Sequence, residues 1–86
     1  MGNNNTASGT DALEDNTTGD SNTAFGSDAL RRNTVGDNNT ASGADALEDN
    51  TTGNRNTAFG ESALTNNEDG DNNTACLLYT SDAADE

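Results

Sequence analysis

The residues of this sequence that could do chemistry are nearly all carboxylates. The 86-residue chain has 16 Asp and Glu, three Arg, no His and a net charge of −13. Covalent or acid–base catalysis requires a nucleophile beside a positioned base in a single site. Ser8 and Ser42 have no base nearby in the sequence, and the acidic residues are spread along the whole chain. We therefore predict that the protein is not an enzyme and uses no cofactor.

The carboxylates are evenly spread because the chain is a tandem repeat with a fixed period. Four complete copies cover residues 2–18, 19–35, 36–52 and 53–69, and a fifth begins at residues 70–75. All nine glycines follow this period without slippage. A short fixed period is typical of a solenoid, in which each copy stacks on the next. The low hydrophobic content, 28%, and the high charge leave a disordered acidic repeat as the alternative.

Each complete copy has two short apolar segments, counted here from its first Gly. Positions 5 to 7 read Thr-Ala-(Ser/Phe), an alternation that predicts a strand with Ala facing a cramped interior. Positions 11 and 12 read Ala-Leu, which we interpret as a second short strand, with a single helical turn over residues 27–32 as the alternative. Clusters of Gly, Asn and Asp between these segments predict tight turns.

The predicted fold is therefore all-β, a parallel β-solenoid or β-roll of 17-residue coils. Two columns of equivalent residues would run along it as structural ladders. They are Thr6, Thr23, Thr40, Thr57 and Thr74, and Leu13, Leu30, Leu47 and Leu64. Four leucines bury too little apolar surface to offset the ordering of the whole repeat region. We therefore expect a coil stack that needs neighbours along a fibre, partner chains around it, or both.

The repeat could bind calcium, ice or a glycan instead of having a purely structural role. The segment Gly-Ala-Asp-Ala-Leu at residues 43–47 offers carboxylates suited to calcium, but calcium-binding β-rolls repeat every nine residues with paired glycines. Ser62 also replaces this Asp in the fourth copy, so a solvated acidic face is favoured over calcium binding. The Thr column could present a flat face to ice, yet only copies one and three approach Thr-x-Thr. Glycan binding by a solenoid face stays open.

The composition also limits the partners. Nucleic acids and anionic membranes attract Lys and Arg, and this chain has only three such residues, so neither partner is expected. No apolar segment is long enough to cross a membrane. No signal peptide precedes the first copy, so the export signal of an extracellular parent protein would lie outside these residues.

Position 7 distinguishes the copies from one another. Copies one and three have Ser8 and Ser42, whereas copies two and four have Phe25 and Phe59. Exposed apolar side chains usually mark interfaces, which favours an outward face that packs on another subunit. The alternative is that each Phe fills a void inside its own coil.

The period ends at Cys76, and residues 76–86 are unlike any other copy. The string Cys-Leu-Leu-Tyr-Thr-Ser-Asp-Ala-Ala-Asp-Glu resembles the translated read-through of a transposase adapter used in sequencing libraries. We interpret it as a non-native, disordered tail that does not extend the solenoid, with a natural cap as the alternative. The solenoid domain would then cover residues 2–75, within a longer parent gene.

The pattern Asn-Thr-Ala-(Phe/Ser)-Gly-x-x-Ala-Leu, best seen at residues 22–26 and 56–60, resembles N-T-A-V-G-x-x-A-L repeats of phage tail fibres and large bacterial surface proteins. It is similar in turn to the S-V-A-I-G-x-x-A head repeats of trimeric autotransporter adhesins. This resemblance implies a left-handed β-roll wound as a homotrimer, with Thr23 and Phe25, or Thr57 and Phe59, at the apolar positions. It also implies a fibre or adhesin segment at a cell surface or virion tail, which spaces other domains or contacts a host-surface or glycan receptor.

Overall fold

The computed structural model describes residues 2–76, which form an all-β parallel solenoid. Each coil contributes one strand of three residues. The strands are β1 (Thr6–Ser8), β2 (Thr23–Phe25), β3 (Thr40–Ser42), β4 (Thr57–Phe59) and β5 (Thr74–Cys76). They form one five-stranded sheet in the order of the sequence, with every neighbouring pair parallel. The parallel solenoid of 17-residue coils predicted from the repeat is confirmed.

The register of the sheet follows the sequence period. Thr6 pairs with Thr23, Ala7 with Ala24 and Ser8 with Phe25, and the same shift by one copy relates every later pair. The central Ala of each of the three middle strands is fully buried. Since side chains alternate across a strand, the flanking Thr and Ser or Phe lie on the opposite, outward side.

The remainder of each coil is a series of β-turns. In the second copy Ala29 N–H donates to Gly26 O at 3.2 Å, Arg31 N–H to Asp28 O at 3.2 Å and Asn33 N–H to Leu30 O at 3.1 Å. The intervening amides donate to the next coil, as Leu30 N–H does to Ala46 O at 3.0 Å. The second strand expected at Ala-Leu and the alternative helical turn are therefore both wrong.

The reason is a repeated change in the sign of φ. Gly26, Asp28 and Leu30 have φ of 129°, 65° and 52°, and their counterparts in the other copies have similar values. A strand or helix requires negative φ at consecutive residues, which this alternation interrupts. A Leu with positive φ costs on the order of 1–3 kcal/mol. Full burial of Leu30 offsets that cost, since burying a Leu side chain contributes about 1.5–3 kcal/mol.

The core is a narrow column of small side chains. It comprises the Ala and Leu of the inner coils: Ala24, Ala29, Leu30, Ala41, Ala46, Leu47, Ala58 and Ala63. The outer leucines Leu13 and Leu64 are partly buried against it. The Leu ladder therefore faces inward, and the coils are thin enough that Ala fills the side beneath the sheet.

The end of the described chain differs from expectation at one residue. Cys76 was expected to lie outside the solenoid, but it is the third residue of β5 and pairs with Phe59. The backbone hydrogen bonds of a strand do not require a particular side chain at this position, which explains why the ladder continues. Residues 77–86, for which disorder was expected, lie outside the described residues. Within residues 2–76 no helix is long and apolar enough to cross a membrane.

Replacing a buried Leu should test the contribution of this column. We expect Leu47→Ala to destabilise the solenoid by about 2–5 kcal/mol, because the surrounding alanines cannot close the cavity. Leu13→Ala is the matched control, since Leu13 has a similar φ but is only partly buried. Urea unfolding at one fixed protein concentration should rank Leu47→Ala as clearly the more destabilising. Equal effects would contradict a core centred on the inner coils.

Candidate functional site

Two columns of asparagines hold the coils together and so position the outer face of the sheet. The first column occupies position 4 of each copy, immediately before the strand, and the second occupies position 15. The inner members are Asn22, Asn39 and Asn56 in the first column and Asn33 and Asn50 in the second, and all five are fully buried. In the first column Asn39 N–H donates to Asn22 Oδ1 at 2.8 Å, and Asn56 N–H donates to Asn39 Oδ1 at 2.9 Å.

The two columns meet at the carbonyl of the first Gly of the next copy. Gly53 O accepts Asn39 Nδ2 at 2.8 Å and Asn50 Nδ2 at 3.0 Å. Asn50 Nδ2 also donates to Asn33 Oδ1 at 2.8 Å, which continues the second column between coils. A Cβ at residue 53 would collide with Asn50 Oδ1 and would lie 2.5 Å from Gly70 O, so only Gly fits there. The buried amides thus have partners along the whole stack, as buried polar groups require.

The sequence pattern did not reveal these columns, because Asn was assigned to turns and no role in the core was considered for it. Asn does favour turns, but a turn residue need not be exposed when neighbouring coils cover it. The available signal was that positions 4 and 15 are Asn in all four complete copies, whereas most other polar positions vary. This signal is not sufficient by itself, because Thr at position 5 is also invariant and lies on the outward side of the sheet.

The outward side of the sheet has no charged residue within the strands. Its Thr column is in register from Thr6 to Thr74, as the ladder predicts. Phe25 and Phe59 lie on the same side with 46% and 47% of their surface exposed. The rings therefore do not fill voids inside their own coils. Two coil spacings of about 4.8 Å separate them, with Ser42 in between.

Carboxylates and arginines form separate columns in the turns. Arg31 Nε contacts Glu14 Oε1 at 3.0 Å, and its Nη1 lies 3.6 Å from Glu48 Oε2, so one Arg lies between two acids. Arg32 pairs with Asp49 at 3.3 Å in the next column. The hydrogen bond to Glu14 raises the pKa of Arg31, whose guanidinium is charged in any case. Such exposed pairs contribute little stability, so their main effect is to relieve repulsion between stacked acids.

Other carboxylates serve the backbone. Asp37 Oδ1 accepts the Asp20 N–H at 2.8 Å, and Asp71 Oδ1 accepts the Asn54 N–H at 2.8 Å. Asn54 Oδ1 accepts the Asp37 N–H in the same way at 2.8 Å. Position 2 therefore needs a side-chain oxygen rather than a charge, which explains why both Asp and Asn occur there.

One acidic cluster has the geometry to attract a cation. Oxygens of Asp28, Asp45 and Glu48 lie within 4.8 Å of one another, and all three residues are half-buried. Calcium takes six to eight oxygen ligands, and these side chains supply three carboxylates. Arg31 already neutralises Glu48 in part, so the cluster is better suited to weak cation attraction than to a closed metal site.

No protein-family model, no curated protein and no solved structure matches the sequence or the fold. The surface of the solenoid itself is therefore the basis for assigning a function.

Replacing one buried Asn should test the amide columns. In Asn50→Asp the carboxylate cannot donate to Gly53 O or Asn33 Oδ1, and it is buried without a cation. We expect a loss of at least about 3 kcal/mol at pH 7.

The loss should also depend on pH. Burial raises the pKa of the new carboxyl above its unfolded value of about 3.9, so ionisation favours the unfolded chain as pH rises. The free-energy difference between Asn50→Asp and the parent should therefore be larger at pH 7 than at pH 4, as measured by urea unfolding at both values. Asn66→Asp, at an exposed residue one position before the equivalent Asn of the fourth copy, should cost little at either pH. Similar losses for the two variants would contradict the structural role of the columns.

Proposed function

We propose that this chain is a structural segment of an extracellular fibre or adhesin, at a cell surface or in a phage tail fibre, where it spaces or presents other domains. The observation that carries this proposal is the uncharged outer face of the sheet, on which Phe25 and Phe59 are about half exposed. A stack of equal coils has the same cross-section along its length, so extra copies lengthen it without changing its surface. These properties favour a spacer over a catalyst.

The proposal includes a homotrimer that packs through this face. A thin core of Ala and Leu supplies limited apolar burial, and association would remove the exposed rings from water. The resemblance of the repeat to tail-fibre segments and to the heads of trimeric autotransporter adhesins supports three chains rather than two. The net charge of −13 opposes association, because like-charged chains repel.

Removing both rings should test the proposal. Phe25→Ser together with Phe59→Ser makes position 7 alike in all four complete copies, and we expect it to abolish association. The parent chain should sediment at three times its monomer mass, more completely as salt rises from low to moderate concentration, because salt screens the repulsion. The measurement is sedimentation equilibrium of both forms across a salt series, with circular dichroism to check that both stay folded.

Val35→Ser is the matched control for this experiment. Val35 is 45% exposed, but it lies at the last position of its copy, outside the sheet. Loss of this side chain removes a similar exposed apolar group and should leave the trimer intact. A parent chain that remains a folded monomer at every salt concentration would contradict the proposal, as would a double Ser variant that assembles equally well.

The second candidate function is a binding module for calcium, glycan or ice. The specific observation in its favour is the cluster of Asp28, Asp45 and Glu48. Calorimetric titration with Ca²⁺ tests it, with Asp45→Asn as the comparison. Saturable binding that Asp45→Asn removes would favour calcium binding. Ice binding is disfavoured because Phe25 and Phe59 interrupt the Thr face at every second coil.

A further inference from the structure

The two ends of β4 carry opposite charges. Arg55 lies two residues before Thr57 and Glu61 lies two residues after Phe59, and both side chains are exposed. The strand between them is uncharged. The equivalent positions in the other described coils have no charged residue: Asn4, Ser21, Asn38 and Asn72 before the strand, and Thr10, Ser27 and Ala44 after it. Among residues 2–76, the fourth coil alone has a positive and a negative flank on either side of the outer face.

These two charges do not neutralise each other within the chain. The ion pairs in the described part of the chain involve Arg31 and Arg32 with acids of the turns. Arg55 Nε instead donates to Asn72 Oδ1 at 2.8 Å, and no acceptor among residues 2–76 engages the other guanidinium donors. The whole strand separates Arg55 from Glu61, so an ion pair between these groups requires a second copy.

We propose that neighbouring copies of the chain pack with their solenoid axes parallel and their coils level, so that Arg55 of one copy pairs with Glu61 of the next. This inference rests on the proposed self-association through the sheet face and adds its polarity and register. A rotation about an axis parallel to the stack keeps each coil at its own level. It also brings the beginning of one strand beside the end of the neighbouring strand. Arg55 and Glu61 of the fourth coils then become adjacent.

The other relative orientation does not produce this contact. If one solenoid is inverted, like ends of the strands adjoin, so Arg55 and Glu61 of neighbouring copies cannot pair with each other. In the parallel arrangement Phe25 and Phe59 also meet their own counterparts in two separate layers, with Ser42 between them. Inversion about the third coil would also bring Phe25 against Phe59, so the rings determine which coils face each other and the Arg55–Glu61 pair determines the orientation.

Charge also favours a second copy as the occupant of this face. The acidic columns lie in the turns, where a basic partner would be attracted, whereas the strands have no charge. A second copy brings strands that are themselves uncharged to the sheet face. It also supplies both members of the flanking pair at the same level.

Charge reversal distinguishes this register from general repulsion. Arg55→Glu and Glu61→Arg each place like charges together, so each should weaken association by about tenfold, since several exposed pairs change from attraction to repulsion. The double variant Arg55→Glu with Glu61→Arg restores opposite charges and has the net charge of the parent. Its association constant should lie within about twofold of the parent value. Sedimentation equilibrium at low and moderate salt measures all four forms.

Glu68→Arg is the matched control for Glu61→Arg. Glu68 is an exposed acid in the turn of the same copy, away from the sheet, and its replacement changes the net charge by the same amount. If repulsion between acidic chains alone governed association, both variants would associate more tightly than the parent. We expect Glu68→Arg to do so, but Glu61→Arg to associate more weakly.

The outcomes separate this inference from the proposed function. If Glu61→Arg strengthens association as Glu68→Arg does, or if the double reversal fails to restore it, the parallel and level register is wrong. The dependence of association on Phe25 and Phe59 would still stand in that case. A parent chain that does not associate would overturn both proposals.

Discussion

The structure depends on the hydrogen bonds of buried amides between coils. Each inner coil contributes two buried Asn side chains. Their amide N–H groups both donate to one Gly carbonyl, as those of Asn39 and Asn50 do at Gly53. Each Asn also bonds to the equivalent Asn of the neighbouring coil. These bonds replace much of the packing that bulky side chains provide in an ordinary core. They also act directionally, because an amide accepts from one neighbour and donates to the other. A column of this kind requires identical residues in successive coils and a fixed shift between them, which is why the period does not slip.

This core explains how the chain can fold although its composition is typical of a disordered protein. A chain with few large apolar residues cannot bury enough hydrocarbon to fold as an ordinary globule. Here each coil is narrow, Ala is sufficient to fill it, and the polar groups brought inside satisfy one another. The energetic cost appears in the backbone, because the residues at positions 10 and 12 adopt positive φ in every complete copy. Position 12 is always Leu, and position 10 is Asp except in the fourth copy, which has Ser62. Burial of the Leu column offsets part of that strain and keeps the turns inward.

Stacking identical coils creates a problem for charged and bulky residues. Equivalent side chains recur about every 4.8 Å, so a column of carboxylates repels itself and a column of aromatic rings crowds. The chain addresses both problems by varying residues from one copy to the next. Arg31 and Arg32 interrupt acidic columns, and Phe25 and Phe59 alternate with Ser8 and Ser42. The outer face therefore has aromatic layers at regular intervals and no charge within the strands, and this regular surface supports a role in assembly.

The sequence by itself determined the period, the strand at positions 5 to 7 of each copy and the parallel register, because stacking equal units in register is the direct physical consequence of an unbroken repeat. It also determined that Ala lies inside at position 6, since alternation in a strand has only two sides. Tertiary structure alone decided the rest of the coil. The sequence predicts a short strand at Ala-Leu. In the structure the neighbouring coil supplies a hydrogen-bond acceptor for every second amide of this segment, and Leu30 adopts positive φ. Asn33 and Asn50 read as turn residues in the sequence, and only the stacked coils show that they are buried. Local preference could not reveal either result, because in both cases the deciding hydrogen-bond partner lies about one copy away in the chain and one coil away in space.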